Sequence, residues 1–298
     1  MRELARTING LARSLVPESW RMRRRLARCR AEVADWISRA DLSDPEAMLI
    51  ADYLKRGTWN NLCIPYPFAE KYNSSSVSIL HDRSNGLHYV LHDGRRLYFP
   101  QTWSACRIRT AYTDLLIEQD VESPHHYEGG ECRVQDGEVV LDVGAAEGIF
   151  ALSVIDRARR VVVVEGSEEW FAPLEATFAP FGEKVRIVRQ YISDRHDPDH
   201  AQISLDAIDR EERVTFVKAD IEGCECKMLQ GGCEWLAKIG GKLAICVYHR
   251  QDDLLEIMKV LQGNGWDAAP SAGYMLYYGE DHGRLTLRKG VVRGGKRA

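Results

Sequence analysis

Several things are scarce or missing. The eight cysteines, Cys29, Cys63, Cys106, Cys132, Cys224, Cys226, Cys233 and Cys246, form no CxxC pair, so no disulfide framework is indicated. Cys224 and Cys226 stand as C-x-C with Cys233 seven residues on. A helix sends i and i+2 to different faces, which favours buried, reduced thiols over a metal site. No apolar run approaches the ~20 residues that span a bilayer. The start has no apolar signal-peptide core, and its Arg richness fits a transit peptide poorly because Glu18 and a helical pattern continue through it. There are no internal repeats, no low-complexity segment, no G-x-G-x-x-G fingerprint and no N-P-P-Y turn. These absences leave a globular, cytoplasmic chain, with peripheral membrane contact through the basic start as an added expectation.

The 298 residues carry 40 Lys+Arg against 44 Asp+Glu and are 45% hydrophobic. That length suits one large domain or two ordinary ones, and that composition rules out wholesale disorder. The net charge of −4 is divided unevenly. Residues 1–30 hold nine Arg, no Lys and two Glu (+7), and the rest carries −11. An acidic body would repel phosphates, which argues against a nucleic-acid partner.

Leu4, Ile8, Leu11 and Leu15 recur at helical spacing, then Trp20, Leu26, Val33, Trp36 and Ile37, and then a third stretch over Pro45–Leu54. Residues 1–56 are read as a helical extension. Residues 57–135 read as an α+β accessory or lid region. A hairpin is predicted over 88–99 around Asp93-Gly94 and a helix over 111–119. From 136 onward strands and helices alternate: strands at 138–143, 161–165, 184–191, 213–219 and 242–248; helices at 149–157, 168–178, 224–239 and 252–263. Strand-like pieces at 273–278 and 284–289, with no helix between them, suggest an edge hairpin. Continuous apolar strands in this order imply an α/β fold, a mostly parallel sheet with helices on both faces.

Ligands bind such sheets outside the carboxyl ends of the strands. There the sequence places Asp142-Val143-Gly144-Ala145-Ala146-Glu147-Gly148, Glu165-Gly166-Ser167, Ile192-Ser193-Asp194, Asp220-Ile221-Glu222-Gly223 and His249. The first turn reads D-x-G-x-x-x-G, with Ala146 where a dinucleotide site needs its second glycine. It suits a phosphate-free, positively charged ligand, and S-adenosylmethionine is one. Gly144 and Gly148 permit close approach. Glu165, 17 residues after Gly148, is placed either to grip a ribose diol or to stand solvated at a strand end. Glu222 and Asp220 either cap the next helix or face the reaction. His249 is either a general base or a half-buried, hydrogen-bonded histidine. Asp220, Glu222 and His249 together also fit a divalent ion, a less favoured reading. Tyr66, Tyr72, Tyr89, Trp103 and Tyr112 suit either sugar stacking or a core.

Val139 to Gly148, taken with Lys218-Ala219-Asp220-Ile221-Glu222-Gly223-Cys224-Glu225 and Leu229-Gln230-Gly231, resembles the FkbM family of S-adenosylmethionine-dependent methyltransferases. Leu205-Asp206 and His249 match its layout, and the resemblance covers residues 85–290. It implies a Rossmann-like class I methyltransferase fold of seven strands, the last antiparallel. It also implies O-methylation of a sugar, glycan or natural-product hydroxyl, the acceptor being small or lipid-linked. By motif position, Asp142, Gly144, Ala145, Glu147 and Gly148 would cradle the cofactor. Glu165 and Ser167 would hold its ribose, and Ser193 and Asp194 would lie by adenine. Asp220 and His249 would face the reaction centre, with Glu222 beside them. The lead-in from Glu118-Gln119-Asp120 through Ser123-Pro124-His125-His126-Tyr127 should fold over the pocket, with His125, His126 and Tyr248 toward the acceptor. A nicotinamide-dependent oxidoreductase and a non-catalytic binding module are the alternatives. Homo-oligomerisation is a further expectation for the N-terminal helices.

Overall fold

The computed structural model of the chain describes residues 18–41, 43–278 and 285–296, without the side chains of 18–28 and 278. The residues fall into two compact units. One comprises Met1–Trp59 and Tyr278–Thr286, the other Asn60–Tyr277 and Leu287–Ala298. The expectations for Leu4, Ile8, Leu11 and Leu15 lie outside the described residues.

The first unit contains helices α1 (Glu18–Arg39) and α2 (Pro45–Leu54). The α2 bounds match the sequence reading because its start is well signalled. Asp44 caps it by accepting from the Glu46 amide, and Pro45 opens the first turn.

The second unit begins with β1 (Leu80–His81), β2 (His88–His92) and β3 (Arg95–Phe99), an antiparallel sheet whose last two strands form the expected hairpin. Helix α3 covers Ala105–Glu118, starting six residues before the sequence reading. Ser104 caps it by accepting from the Arg107 amide, and its first turn, Ala105-Cys106-Arg107-Ile108, holds a single large apolar residue, too little for a periodicity search.

The central elements follow as β4 (Val139–Val143), α4 (Ile149–Val154), β5 (Arg160–Val164), α5 (Phe171–Phe178), β6 (Val185–Val188), β7 (Tyr191–Ser193), β8 (Gln202–Ser204), α6 (Leu205–Glu212), β9 (Phe216–Ala219), α7 (Glu225–Gln230), α8 (Cys233–Ala237), β10 (Lys242–Cys246), α9 (Asp253–Gly263), β11 (Asp267–Pro270), β12 (Met275–Tyr278), β13 (Leu285–Arg288) and β14 (Val291–Gly295). Seven of these strands form one sheet in the order β11-β14-β10-β9-β4-β5-β6. The pairs β4–β5, β5–β6, β4–β9 and β9–β10 are parallel, while β14 runs antiparallel to both of its neighbours. With helices packed on both faces, this is the class I methyltransferase fold. Strand order reverses between β4 and β9, so a crevice opens above their carboxyl ends.

Three sequence expectations need correction. The single helix over 224–239 is two, α7 and α8, broken at Gly231-Gly232. A Cβ on Gly231 would lie 2.4 Å from the Ser193 carbonyl oxygen, so the chain passes that strand end too closely for a side chain. Asp206 restarts the helix by accepting from the amides of Glu234 and Trp235 at 3.0 and 2.9 Å. The segment 184–191 is split between β6 and the start of β7. Finally, the paired last strands of the sheet are β11 and β14, whereas β12 and β13 make a separate two-stranded sheet. The cysteines are free, as expected, but Cys63, Cys106 and Cys233 are exposed rather than buried.

Side chains alternate across the sheet. Leu141, Val143, Val217 and Ala219 pack in the cluster on one face, and Val140 and Phe216 in the cluster on the other. Period-two alternation therefore turns Asp142 and Lys218 to the Val140 face. They are register partners on adjacent strands, and their charged atoms meet at 3.0 Å with almost no exposure. Lys218 Nζ also donates to the Gly144 carbonyl at 2.8 Å, and the Ala151 amide donates to Asp142 at 3.2 Å. Removing one member of such a pair leaves a buried charge uncompensated, at about 3–5 kcal/mol. Lys218→Met and Asp142→Asn are each expected to lower stability by roughly that amount, and the double variant by much less than their sum. Urea unfolding of the four proteins measures the coupling; additive losses would show that the pair is not the unit described.

Candidate active site

The turn after β4 is built on left-handed residues. Gly144 has φ +67, and a Cβ there would fall 1.9 Å from the Asp220 carbonyl oxygen. Gly148, at φ +82, caps α4. Between them Ala146 has φ +48, a conformation costing a non-glycine residue about 1–2 kcal/mol. Glu165 holds that turn in place. Its Oε2 accepts from the Ala146 amide at 2.9 Å and its Oε1 from the Ser167 amide at 2.8 Å. A carboxylate has about four acceptor sites, so Glu165 keeps two for a ligand while its orientation is fixed by backbone.

Above the turn lies a small cavity of about 80 Å³. Its walls include residues 144–147, Lys218 and Asp220, and Glu118, Gln119 and Tyr127 close it from the lead-in side. This places the lead-in over the head of β4, as the resemblance implied. Two larger clefts lie away from these groups. One of about 550 Å³ includes Lys242, Asp267 and Gly295, at the amino ends of β10 and β11 and the carboxyl end of β14. One of about 750 Å³ runs along α5 beside Pro100–Thr102.

Asp220 is the hub of the site. Its carboxylate accepts from Tyr127 Oη at 2.9 Å and Tyr248 Oη at 3.3 Å, with His125 Nε2 at 3.4 Å and His249 Nε2 at 3.3 Å. Burial opposes its charge, but the His125 and His249 contacts and the Lys218 charge outweigh it and hold its pKa well below the usual carboxylate range. Asp220 is therefore an anchor for charge and a poor proton acceptor.

His249 departs from the general-base reading. It is 4% exposed, with Nδ1 2.9 Å from Glu225 Oε1 and Nε2 3.3 Å from Asp220 Oδ1. Neither contact lies along a ring N–H axis, so both act as ion pairs more than as linear hydrogen bonds. Burial lowers its pKa, yet the two carboxylates raise it further, to about 10. At neutral pH it is an imidazolium and cannot take a proton.

Glu222 also differs from expectation. It has φ +53, its side chain is 90% exposed, and its Oε2 stands 3.7 Å from His249 Nε2. It does not cap α7, where Cys224 occupies the cap position without a side-chain bond. The buried partner of His249 is Glu225, which also accepts from the Ile221 amide at 3.1 Å. Among the described residues, the groups that converge closely enough for a metal ion are Asp220–Glu225–His249 and His125–Asp220–Cys246. In the first, the imidazolium already supplies the positive charge. Neither includes Glu222, Cys224, Cys226 or Cys233.

Asp142 lies beneath the turn rather than beside the ligand space, since Lys218 and the Ala151 amide occupy it. Ala145 is buried, and its amide faces the Val164 carbonyl. Ser193 Oγ donates to Asp194 Oδ1 at 3.0 Å, and Asp194 is exposed at the rim. His125, 1% exposed, has its Nε2 3.4 Å from Asp220 Oδ2 and is absent from the cavity wall. His126, its pKa lowered to about 4 by burial and by Arg293, is absent from the cavity wall. The Tyr248 and His249 rings lie 4.1 Å apart, tilted by 39°. Tyr66 and Tyr112 are core residues, and Tyr72 donates to Asp120.

Four groups at the site stand in the motif or the lead-in without a role assigned to them from sequence: Glu118, Tyr127, Lys218 and Glu225. Burial raises Glu118 to about 7, with Asp220 and Asp114 adding to it against His125 and Lys218. Burial likewise raises Glu147 to about 8, with Glu118 and Asp142 adding to it. The signal available for Lys218 is a cation inside an otherwise apolar strand, a place it can hold only with a buried acid beside it.

No family model matches the chain, and no curated protein does. Among solved structures, a methyltransferase FkbM from Methylobacillus flagellatus is similar at 20% identity and TM-score 0.46, over 63% of this chain and 54% of that one. The chain thus matches about half of that protein's length. Precorrin-6y C5,15-methyltransferase from Geobacter metallireducens follows at 14% identity and TM-score 0.39, over 55% of this chain and 80% of that one. A Streptococcus mutans protein described as a methyltransferase, in complex with SAH, gives 15% identity and TM-score 0.37, over 55% of this chain and 90% of that one. The sheet order, and not these likenesses, carries the fold.

The raised pKa of His249 has a sign that can be tested. A group whose folded pKa exceeds its unfolded value of about 6.5 contributes fully below that value, and the contribution disappears as pH rises through about 10. The chain should therefore lose stability between pH 7 and 10.5. His249→Ala should be less stable at pH 7 by about 3–5 kcal/mol, because Asp220 and Glu225 lose their cation. Its stability should be flatter over that window. Denaturant midpoints at several pH values measure this, and parallel profiles for the two proteins would contradict it.

Proposed function

We propose that the chain is an S-adenosylmethionine-dependent methyltransferase acting on a hydroxyl of a sugar, glycan or natural-product acceptor. The observation that carries this reading is the sign of the cavity above β4 and β9. Asp220 lines it as an anion, Glu118 and Glu147 line it as carboxyl groups that become anions when a cation enters, and Lys218, its cation, is already committed to Asp142. A pyrophosphate would meet repulsion there, which weighs against a nicotinamide dinucleotide. A cation fits. When bound, S-adenosylmethionine supplies a methyl group made electrophilic by its sulfonium.

The chain's own residues do the rest. The Gly144–Gly148 turn allows close backbone approach, Glu165 offers two remaining acceptor sites to a ribose diol, and Ser193 and Asp194 stand at the adenine side. The cavity is smaller than the ~300–1,000 Å³ typical of ligand sites, so it suits the charged end of the cofactor while the nucleoside lies along the open rim. Asp220, fixed by Tyr127, Tyr248, His125 and His249, orients the reacting groups and excludes water. A hydroxyl acceptor is supported by the FkbM resemblance. A basic N-terminal segment would suit contact with a lipid-linked acceptor. Among the described residues no helix is long and apolar enough to cross a membrane.

Incubating the protein with labelled S-adenosylmethionine and a cell-envelope glycan extract should add one methyl mass to a component that mass spectrometry can identify. Glu165→Gln should bind the cofactor roughly 10–100-fold more weakly, the equivalent of a lost hydrogen bond to a charged group. Unchanged affinity would remove Glu165 from the ribose role, and binding of a nicotinamide dinucleotide in its place would overturn the reading.

A further inference from the structure

A buried and a half-buried carboxyl group facing one space, Glu147 and Glu118, are costly as anions unless a cation joins them or they stay protonated. Glu147, 6% exposed, rises from the turn after β4, and Glu118 faces the same cavity from the end of α3. Neither has an ion-pair partner among the described residues, and Glu147 is met by its own backbone amide alone. The charged groups around Glu118 are His125 from the lead-in, Asp220 after β9, Asp114 on α3 and Lys218 on β9. Those around Glu147 are Lys218 on β9, Glu118 on α3 and Asp142 on β4. Lys218 is shared by both but spent on Asp142 and the Gly144 carbonyl, at 3.0 and 2.8 Å.

We infer that this cavity reads the charge of the cofactor: the Glu118–Glu147 pair gives up a proton when the cationic sulfonium form binds and takes one back once the methyl group has left, so the neutral thioether product is held more weakly. The inference rests on the proposed cofactor and deepens it. The charges balance over one turnover. The S–CH3 bond breaks with its electron pair left on sulfur, an O–CH3 bond forms as the acceptor O–H bond breaks, and the freed proton passes to the carboxylate pair. One positive charge and one negative charge disappear together, so the cavity never holds an excess of either. His249, already protonated, and Asp220, held as an anion, are both poorly suited to that proton. The raised pKa values of Glu118 and Glu147 place the exchange near neutral pH.

The test is an equilibrium titration of the full chain with S-adenosylmethionine and with S-adenosylhomocysteine from pH 6 to 9. Two buffers of different ionisation enthalpy count the protons exchanged. S-adenosylmethionine should bind about tenfold more tightly at pH 8 than at pH 6, with proton release, while S-adenosylhomocysteine changes by less than about twofold. Glu147→Gln and Glu118→Gln should each flatten the first profile, and circular dichroism establishes that each variant is folded, so either one suffices. Equal pH slopes for the two ligands, or an unchanged slope in both folded variants, overturns the inference while leaving the cofactor in place. Failure of both ligands to bind at any pH overturns the cofactor reading and the inference with it.

Discussion

A lysine in the middle of a parallel sheet constrains everything around it. Lys218 lies on β9 between residues of the apolar core, 4% exposed. An ammonium buried so deeply persists only if charge and hydrogen bonds surround it. Asp142 meets it across the strand register, the Gly144 carbonyl accepts from it, and Asp220 adds a second negative charge. Burial opposes that charge, but these carboxylates outweigh it and lift the Lys218 pKa to about 12. The Gly144 carbonyl can reach Lys218 only if the chain leaves β4 in a tight, left-handed turn against the backbone of residue 220. The ion pair therefore shapes the turn, and the turn shapes the crevice.

The same constraint propagates outward through Asp220. Held as an anion beside Lys218, it keeps His249 positive, and Glu225 reinforces that state from the other side of the ring. A histidine at a strand's carboxyl end suggests a base on sequence grounds, but with carboxylates near both ring nitrogens it becomes a structural cation. Asp142, Asp220 and Glu225 set against Lys218 and His249 leave no cation for Glu118 and Glu147. Those two remain closest to neutrality and thus the groups whose charge can change.

What the sequence made legible followed from local rules. The D-x-G-x-x-x-G turn, the strand-end acids and the apolar strands β4, β5 and β10 lie where pattern and spacing put them. What it hid depends on contacts between distant residues. Glu225 partners His249 across 24 positions, and Glu118 reaches a cavity built mainly from residues 144–147 and 218–220. Strand β14 was not among the strands placed from sequence, since Arg293, Gly294 and Gly295 carry little strand preference. They are strand because β10 and β11 pair on either side, and a Cβ at Gly294 would fall 2.6 Å from that of Ala268. The start of α3 was missed because its cap, Ser104, precedes a first turn with little apolar pattern.

The divided formal charge takes on a different meaning in this setting. Six acids, Asp142, Glu147, Glu165, Asp194, Asp220 and Glu222, fall at strand ends in the sequence and suggest a rim of uniform negative charge. The structure separates them by what each touches. Asp142 is neutralised inside the sheet, Glu222 is solvated, Asp194 stands exposed, and Glu165 is fixed by two backbone amides. A ligand entering the cavity meets Glu147, Asp220 and an acid from outside that set, Glu118. Electrostatic selectivity at the site depends on which carboxylates are left without a cation. A count of acids along the rim would overstate the attraction for a cation and would miss the groups able to respond to one.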